Sequence, residues 1–261
     1  LPLTRGGSVG WLALIGSGLF FVLTLLQYGC VLLSGFLKSK KGVYSFTLDH
    51  WNELWSIGAS PVVRSVVYAL IVAVVGTLFA ALFAYYMDRR RVPGRAFFDC
   101  IATMPYMLPG TCFGIGYILA FNHAPLKLTG TAIIVLANML FKQLPTSAKI
   151  CSATLAQLQP AQERSAQDLG AGRLAVVLPN SRPALLSCFV YNFTSSMTTA
   201  GAIIFLIDPS RQLAVFRLFD AVYRGDYALA SVLASVITAI VLAVEGLVWL
   251  LSRKEGKRRV S

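Results

Sequence analysis

Apolar residues along the chain gather into long blocks, separated by short polar segments rich in Lys, Arg, Gly and Pro. A helix that crosses a bilayer needs about 20 mostly apolar residues. Stretches of about this length are Trp11–Leu37, Val62–Met87, Phe97–Phe121, Gly130–Ile150, Ala184–Ile207 and Ala228–Leu251. The fourth stretch is the weakest, because Lys142, Gln143 and Pro145 interrupt it. The pattern predicts an all-α polytopic membrane protein in which six transmembrane helices form a single domain over residues 1–261.

Composition favours the same class. Hydrophobic residues make up 56% of the 261 residues, charged residues only 13%, and the mean hydropathy is +0.69. Soluble domains carry roughly 25% charged residues, so this chain has too few charges to cover the surface of a soluble domain. The net charge of +12 would suggest nucleic acid in a soluble protein, but here the charges must first be assigned to the two sides of a bilayer.

The distribution of Lys and Arg predicts the orientation, because these residues gather in cytoplasmic loops. With both termini in the cytoplasm, 15 of the 23 Lys and Arg residues lie inside and 8 outside. The cluster Arg89–Arg91 and Arg95 follows the second span and supports this assignment, whereas Lys38, Lys40 and Lys41 oppose it. We therefore expect a multi-pass protein of the bacterial inner membrane with both termini cytoplasmic, and no nucleic-acid partner.

A polar segment of residues 151–183 separates the fourth and fifth spans and is predicted to be cytoplasmic. A helix of roughly ten residues fits between Pro160 and Gly170, because proline suits the first helical turn and glycine the position after the last. Ala161, Ser165 and Leu169 then share one face. The pattern indicates two short helices with a bend at Gly170–Gly172. The segment is either a connector lying on the lipid headgroups or a docking element for a cytoplasmic protein.

The sequence "RSAQDLGA", followed by "VVLP", resembles the cytoplasmic loop of permease subunits of bacterial ABC importers. That loop has the form Glu-Ala-Ala, three residues, Gly, nine residues, Ile-x-Leu-Pro. Here Arg164 stands where the family has Glu. Five residues rather than nine separate Gly170 from Val176, and the four missing residues correspond to about one helical turn. The resemblance implies that the loop docks on an ATPase. The implied contact residues are Ala161, Arg164, Ser165, Ala166, Leu169, Gly170, Ala171, Leu178 and Pro179.

Within the family, the resemblance is nearest to permeases for ferric iron. It rests on "RVPGRAFFDCIATMPYMLPGTCFGIGYILAF", "SSMTTAGAIIFLIDP" and "FDAVYRGDYALASV". The implied partners are a dimer of cytoplasmic ABC ATPases, a second permease half or copy, an extracytoplasmic binding protein and membrane lipid. The chain has no Walker A motif, so we expect no enzymatic activity and no cofactor in this chain, with ATP and Mg²⁺ bound by the partner.

Other interpretations stay open at this point. Permeases for phosphonates, phosphoglycerate, polyamines or thiamine share much of the pattern. A passive channel or a secondary transporter would have similar spans but would not need the loop between residues 151 and 183.

Polar residues inside the spans are candidates for the translocation path. Asn192, Ser195, Ser196 and Thr199 are related by steps of three and four, so they share one helical face. They line a path or hydrogen-bond to neighbouring helices. Glu245 is a carboxylate well inside a predicted span, where charges are costly and often functional, although it could also reach the interface. Two histidines and five cysteines without a CxxC pair predict no metal site.

Overall fold

The structure, a computed structural model, describes residues 8–40, 43–57, 59–89, 92–125, 127–158, 168, 170 and 179–258. Almost all regular elements in these residues are helices, in agreement with the predicted fold class. The first elements in chain order are α1 (Ser8–Ser34), β1 (Leu37–Lys40), β2 (Val43–Phe46), α2 (Asp49–Ile57) and α3 (Ser60–Arg89). The others are α4 (Arg95–Met107), α5 (Gly110–Phe121), α6 (Ala132–Gln157), α7 (Arg182–Thr198), α8 (Ala214–Tyr223) and α9 (Tyr227–Arg258).

Two compact units make up the described chain, one built from residues up to 57 with Leu218–Val236, the other from Ala59–Arg217 with the chain after Ile237. In the first unit, β1 and β2 form an antiparallel hairpin in which Leu37 lies opposite Phe46. The ring of Phe36 stacks on that of Phe46, with centroids 5.6 Å apart. Asp226 caps the start of α9 by accepting a hydrogen bond of 3.0 Å from the Leu229 N–H, as expected for an N-cap carboxylate.

In the second unit, α3, α6 and α7 pack closely together. Small residues on α3 make this possible, because they let neighbouring backbones approach. The fully buried ones include Ala69, Ala73, Ala80 and Ala84. A core cluster of α3, α4, α6 and α7 residues includes Ala84, Tyr85, Ala102, Leu155 and Cys188. This three-helix packing positions the polar side chains described below.

The predicted third span is not one continuous helix. α4 and α5 meet at an angle of 113°, at a break formed by Leu108 and Pro109. Leu108 has extended backbone angles, as a residue before proline prefers, and Pro109 has no N–H to continue the helical ladder. The sequence prediction of Phe97–Phe121 as a single helix is therefore wrong, because apolarity continues across a backbone break.

The predicted fifth span is also shorter as a helix than its apolar stretch. α7 ends at Thr198, and Thr199 has extended backbone angles. Two short 3-10 helices, Ile203–Phe205 and Pro209–Arg211, follow before α8. The prediction of helix through to Ile207 is therefore wrong beyond Thr198, where glycine and alanine begin a turn.

Three described helical segments are long and apolar enough to cross a bilayer: Gly10–Ser34, Ser60–Arg89 and Tyr227–Arg253. The bent pair of α4 and α5 makes a fourth if both helices belong to one span. α7 has only 17 residues, and α6 is interrupted by polar residues that include Lys142, Gln143 and Lys149. The multi-pass membrane fold is thus evident from the helices, whereas a count of six spans stays a prediction from the apolar blocks.

Candidate functional site

A buried hydrogen-bond network joins α3, α6 and α7, with Asn192 of α7 at its centre. The Ser147 hydroxyl donates to Asn192 Oδ1 over 2.6 Å, and Asn192 Nδ2 donates to the Thr77 hydroxyl over 3.3 Å. Ser196, one turn further on, donates to the Asn192 carbonyl over 2.7 Å. Each of these side chains is buried, and buried polar groups are costly unless they are paired. The network therefore fixes the three helices in one relative arrangement.

Gln143 of α6 completes the network. Its amide group lies 2.9 Å from the Ser196 hydroxyl. Turning the amide so that its oxygen faces Ser196 lets its nitrogen donate to Asn192 O and Oδ1, each at 3.1 Å; the hydrogen-bond network decides such orientations. Gly76 of α3 faces the same asparagine, since a Cβ atom there would lie 3.1 Å from Asn192 Nδ2. A side chain at position 76 would therefore require the Asn192 amide group to shift.

The residues predicted to share a path-lining face are divided by the structure. Asn192 is 1% exposed, Ser196 3% and Thr199 5%, so these three side chains point into the packing of their own chain. Only Ser195 is half-buried and lies on an open groove. Asn192 and Ser196 hydrogen-bond to neighbouring helices of the same chain, and a role for these residues in a translocation path stays a prediction. The physical reason for these hydrogen bonds is the matching polar stripe on α6, where Gln143 and Ser147 lie one turn apart.

A groove of about 1000 Å³ runs between α7 and the part of α9 that follows Ile237. Its walls are mainly apolar, including Leu186, Val190 and Trp249. Its polar lining residues are Ser187, Tyr191, Thr194, Ser195, Glu245 and Ser252. The groove therefore carries hydroxyl oxygens and one carboxylate in an otherwise apolar surface.

Glu245 is the charged residue of this groove. The Thr194 hydroxyl donates to Glu245 Oε1 over a long 3.5 Å, and no ion pair involves Glu245 in the part of the chain that the structure describes. Arg253, two turns further along α9, lies over the Trp249 ring at 4.1 Å from its centroid, which is a cation–π contact. Thr194 is thus the hydrogen-bond partner of the Glu245 carboxylate among the described residues.

The predicted ATPase contacts fall largely outside the described residues. This holds for Ala161, Arg164, Ser165, Ala166, Leu169, Ala171 and Leu178. Gly170 is described, with a φ of +80° and no atom of another described residue within 4 Å of the position that a Cβ atom would take. This left-handed backbone favours glycine and agrees with a bend at that residue. Pro179 is half-buried.

The helices on both sides of this segment, α6 and α7, belong to the packed core that they form with α3. Arg89, the last residue of α3, donates from one guanidinium nitrogen to the carbonyl oxygens of Leu155 and Leu158, each at 2.7 Å. The sulfur atoms of Cys151 on α6 and Cys188 on α7 lie 3.4 Å apart. The segment that leaves α6 and returns as α7 therefore begins and ends on helices that are linked to each other.

Sequence reasoning missed several residues of this arrangement. In the sequence, Gln143 stands out only as an interruption of an apolar block, and Arg89 only as a contribution to the charge bias. A usable signal is the spacing of Gln143 and Ser147, which repeats that of Asn192 and Ser196. In the described part of the chain, no group of three or more His, Cys, Asp or Glu side chains is placed to hold a metal ion.

Comparison with known proteins places these features in a family. Residues 72–256 match the family model described as "Binding-protein-dependent transport system inner membrane component". The chain is 30% identical over 236 residues to the ferric transport system permease protein FbpB of Actinobacillus pleuropneumoniae, which covers 87% of this chain and 34% of that protein. The chain thus spans about a third of the length of this relative.

Two further similarities extend over more than nine tenths of both chains. The sulfate transport system permease protein CysT of Salmonella typhimurium is 29% identical over 259 residues, covering 91% of this chain and 93% of that protein. The crystal structure of a bacterial alginate ABC transporter, in complex with an alginate pentasaccharide-bound periplasmic protein, superposes with a TM-score of 0.72 at 16% identity, covering 94% of each chain. The chain belongs to the family of binding-protein-dependent transport system inner membrane components.

Proposed function

We propose that this chain is the permease subunit of an ATP-driven ABC importer and forms one half of a translocation path. The observation that carries the proposal is the buried Asn192 network. It links α3 to α6 and α7, the two helices that flank the segment with the permease loop motif. A rigid three-helix unit of this kind can transmit a displacement of the loop across the membrane. The second half is another copy of the chain or another six-helix half.

Chemical energy for transport comes from a partner in this proposal. A dimer of cytoplasmic ABC ATPases binds ATP and Mg²⁺ and docks on the segment between α6 and α7. An extracytoplasmic binding protein delivers the solute and supplies most of the selectivity. Both termini and the docking segment lie in the cytoplasm, as the Lys and Arg distribution predicts.

Ferric iron is the proposed solute. The similarity to the ferric permease of Actinobacillus pleuropneumoniae supports it, and so does the carboxylate of Glu245 in the groove, because hard cations prefer oxygen ligands. Sulfate is the second candidate, favoured by the full-length similarity to the sulfate permease. A carboxylate without a cationic partner would repel a sulfate ion inside a low-dielectric span. Phosphonate, phosphoglycerate, polyamine and thiamine follow as further alternatives.

Purification from native membranes tests the class. We expect an ABC ATPase and an extracytoplasmic binding protein to co-purify, and the reconstituted complex to take up radiolabelled iron, with ATP in the vesicle lumen and the binding protein outside. Uptake without ATP would indicate a channel or secondary transporter, and uptake of sulfate instead of iron would reassign the solute.

Two variants test the proposed docking segment and the orientation. Gly170→Pro is incompatible with a positive φ and is expected to uncouple ATP hydrolysis from uptake while the helices stay inserted. For orientation, a Lys257→Cys variant should be labelled by an impermeant thiol reagent only from the cytoplasmic side. Because Cys30, Cys100 and Cys112 are exposed, this labelling needs a background in which they are replaced by serine.

A further inference from the structure

Arg89 joins the end of α3 to the end of α6 in the second unit. It is the last residue of α3, and its guanidinium group bonds to two carbonyl oxygens at the end of α6. Leu155 O also accepts the Leu158 N–H over 3.1 Å. The chain leaves α6 at this place and enters the segment that contains Gly170.

The chemistry of a helix end explains why an arginine fits here. The last four carbonyl groups of a helix have no partner within the helix, and the helix dipole places partial negative charge on them. A guanidinium group supplies a positive charge and donors in a fixed planar fork. Leu155 is 4% exposed, so water is largely excluded from its surroundings. Without Arg89, the end of α6 would lose these charged hydrogen bonds to α3 and keep only the apolar packing of Leu155 against Ala84 and Tyr85.

The link extends from α6 to α7 through contacts deeper in the core. Cys151 and Ser147 follow the same face of α6 and meet Cys188 and Asn192 of α7. Asn192 in turn bonds to Thr77, about three turns before the end of α3. α3 is therefore joined to the helix pair at two levels, once at mid-depth and once beside the exit of α6.

We propose that Arg89 is a positioning residue for energy coupling. By holding the last turn of α6 against α3, it makes a displacement of the segment between α6 and α7 move the three helices together. Without it, the displacement is absorbed by fraying of the last turn of α6. This inference rests on the proposed function, in which an ATPase docks on that segment.

A simpler role for Arg89 is to contribute one positive charge to the topology signal. Arg95 is the matched control, because it belongs to the same arginine cluster but, among the described residues, bonds to Asp88 alone, at 2.9 Å, and its side chain is 59% exposed. Arg89→Met and Arg95→Met remove the same charge from the same predicted loop. Only the former removes the contact with α6.

Hydrogen exchange tests the link itself, in the purified full chain and without any ATPase. We expect the amides of the last turn of α6 to exchange on the order of tenfold faster in Arg89→Met, the loss expected for a charged hydrogen bond. Arg95→Met should match the wild type. Arg89→Lys keeps the charge, and its exchange rate should lie between those of Arg89→Met and the wild type. Equal exchange in Arg89→Met and wild type would overturn the proposal.

The second measurement is the number of solute molecules taken up per ATP hydrolysed, in the reconstituted complex with its ATPase and binding protein. We expect Arg89→Met to lower this ratio by on the order of tenfold while ATP hydrolysis continues, and Arg95→Met to stay within about twofold. A wild-type ratio in Arg89→Met, or an equal loss in Arg95→Met, would refute a coupling role even if hydrogen exchange had changed. Absence of ATP-driven uptake in the wild type would instead refute the proposed function, and the coupling role with it.

Discussion

The sulfur atoms of Cys151 and Cys188 lie 3.4 Å apart in the buried interface between α6 and α7. Cys188 also lies 3.3 Å from the Ser147 carbonyl, to which its thiol donates. The two helices that flank the proposed docking segment are thus in contact through a pair of free thiols, which report on their separation.

Oxidation is expected to link α6 to α7 covalently. A two-electron oxidant such as a copper–phenanthroline complex with oxygen would convert the two thiols into a disulfide, releasing two protons and passing two electrons to the oxidant. The sulfur atoms need to approach only from 3.4 Å to about 2.05 Å. A protease site inserted between residues 160 and 178 makes the link visible, because the cleaved fragments then stay together on a non-reducing gel.

The control for this experiment is Cys151→Ser with the same protease site. Its fragments should separate with or without oxidant, while Cys100→Ser, which replaces an exposed cysteine, should behave like the parent chain. Separation of the parent fragments after oxidation, with thiols consumed elsewhere, would contradict the packing of α6 on α7.

Asn192→Leu is expected to lower the free energy of unfolding by about 1–3 kcal/mol, because it leaves buried polar partners unsatisfied. The Ser147 hydroxyl would lose its acceptor and Gln143 part of its amide contacts. Thr198→Ala is the control on the same helix, since Thr198 is exposed and, within the described part of the chain, its hydroxyl bonds to backbone oxygens of α7 alone. Thermal unfolding in detergent measures both variants, and equal midpoints would argue against a structural network.

Gly114→Ala is expected to destabilise the packing of α5. A Cβ atom at position 114 would lie 2.6 Å from the Ala202 carbonyl oxygen and 3.0 Å from the Phe205 ring. Relieving that overlap requires a backbone shift, which costs about 1–3 kcal/mol. Gly116→Ala on the same helix should be neutral or slightly stabilising, because no described residue outside the helix places an atom within 4 Å of the added carbon and alanine favours helix over glycine. A thermal midpoint for Gly114→Ala as high as that of Gly116→Ala would contradict the close approach.

The sequence predicted the membrane class and the main helices because both follow from long apolar blocks. α3 and α9 agree with their predicted spans to within a few residues at their starts. The break between α4 and α5 was missed because hydropathy does not change at Pro109.

The polar residues of α7 were recognised from the sequence, but the neighbours that their side chains face were not. Whether Asn192 faces a cavity or a neighbour depends on Gln143 and Ser147, about 45–50 residues earlier in the chain, and periodicity within one helix carries no information about that partner.

Glu245→Gln provides the sharpest test of the proposed solute. The substitution keeps the shape of the side chain and an oxygen that can accept the hydrogen bond from Thr194, but it removes the negative charge from the groove. If the groove belongs to the path of a metal cation, uptake should fall on the order of tenfold, the effect of losing one favourable charge contact of moderate strength. Thr194→Val is the matched control, because it removes the Thr194 hydroxyl and keeps the Glu245 carboxylate. Iron uptake by this variant should stay within about twofold of wild type.

The comparison is made in reconstituted vesicles with radiolabelled iron and, separately, radiolabelled sulfate. Higher sulfate uptake in Glu245→Gln than in wild type would reverse the assignment, because an anion is repelled by the native carboxylate. Unchanged iron uptake would place Glu245 outside the path.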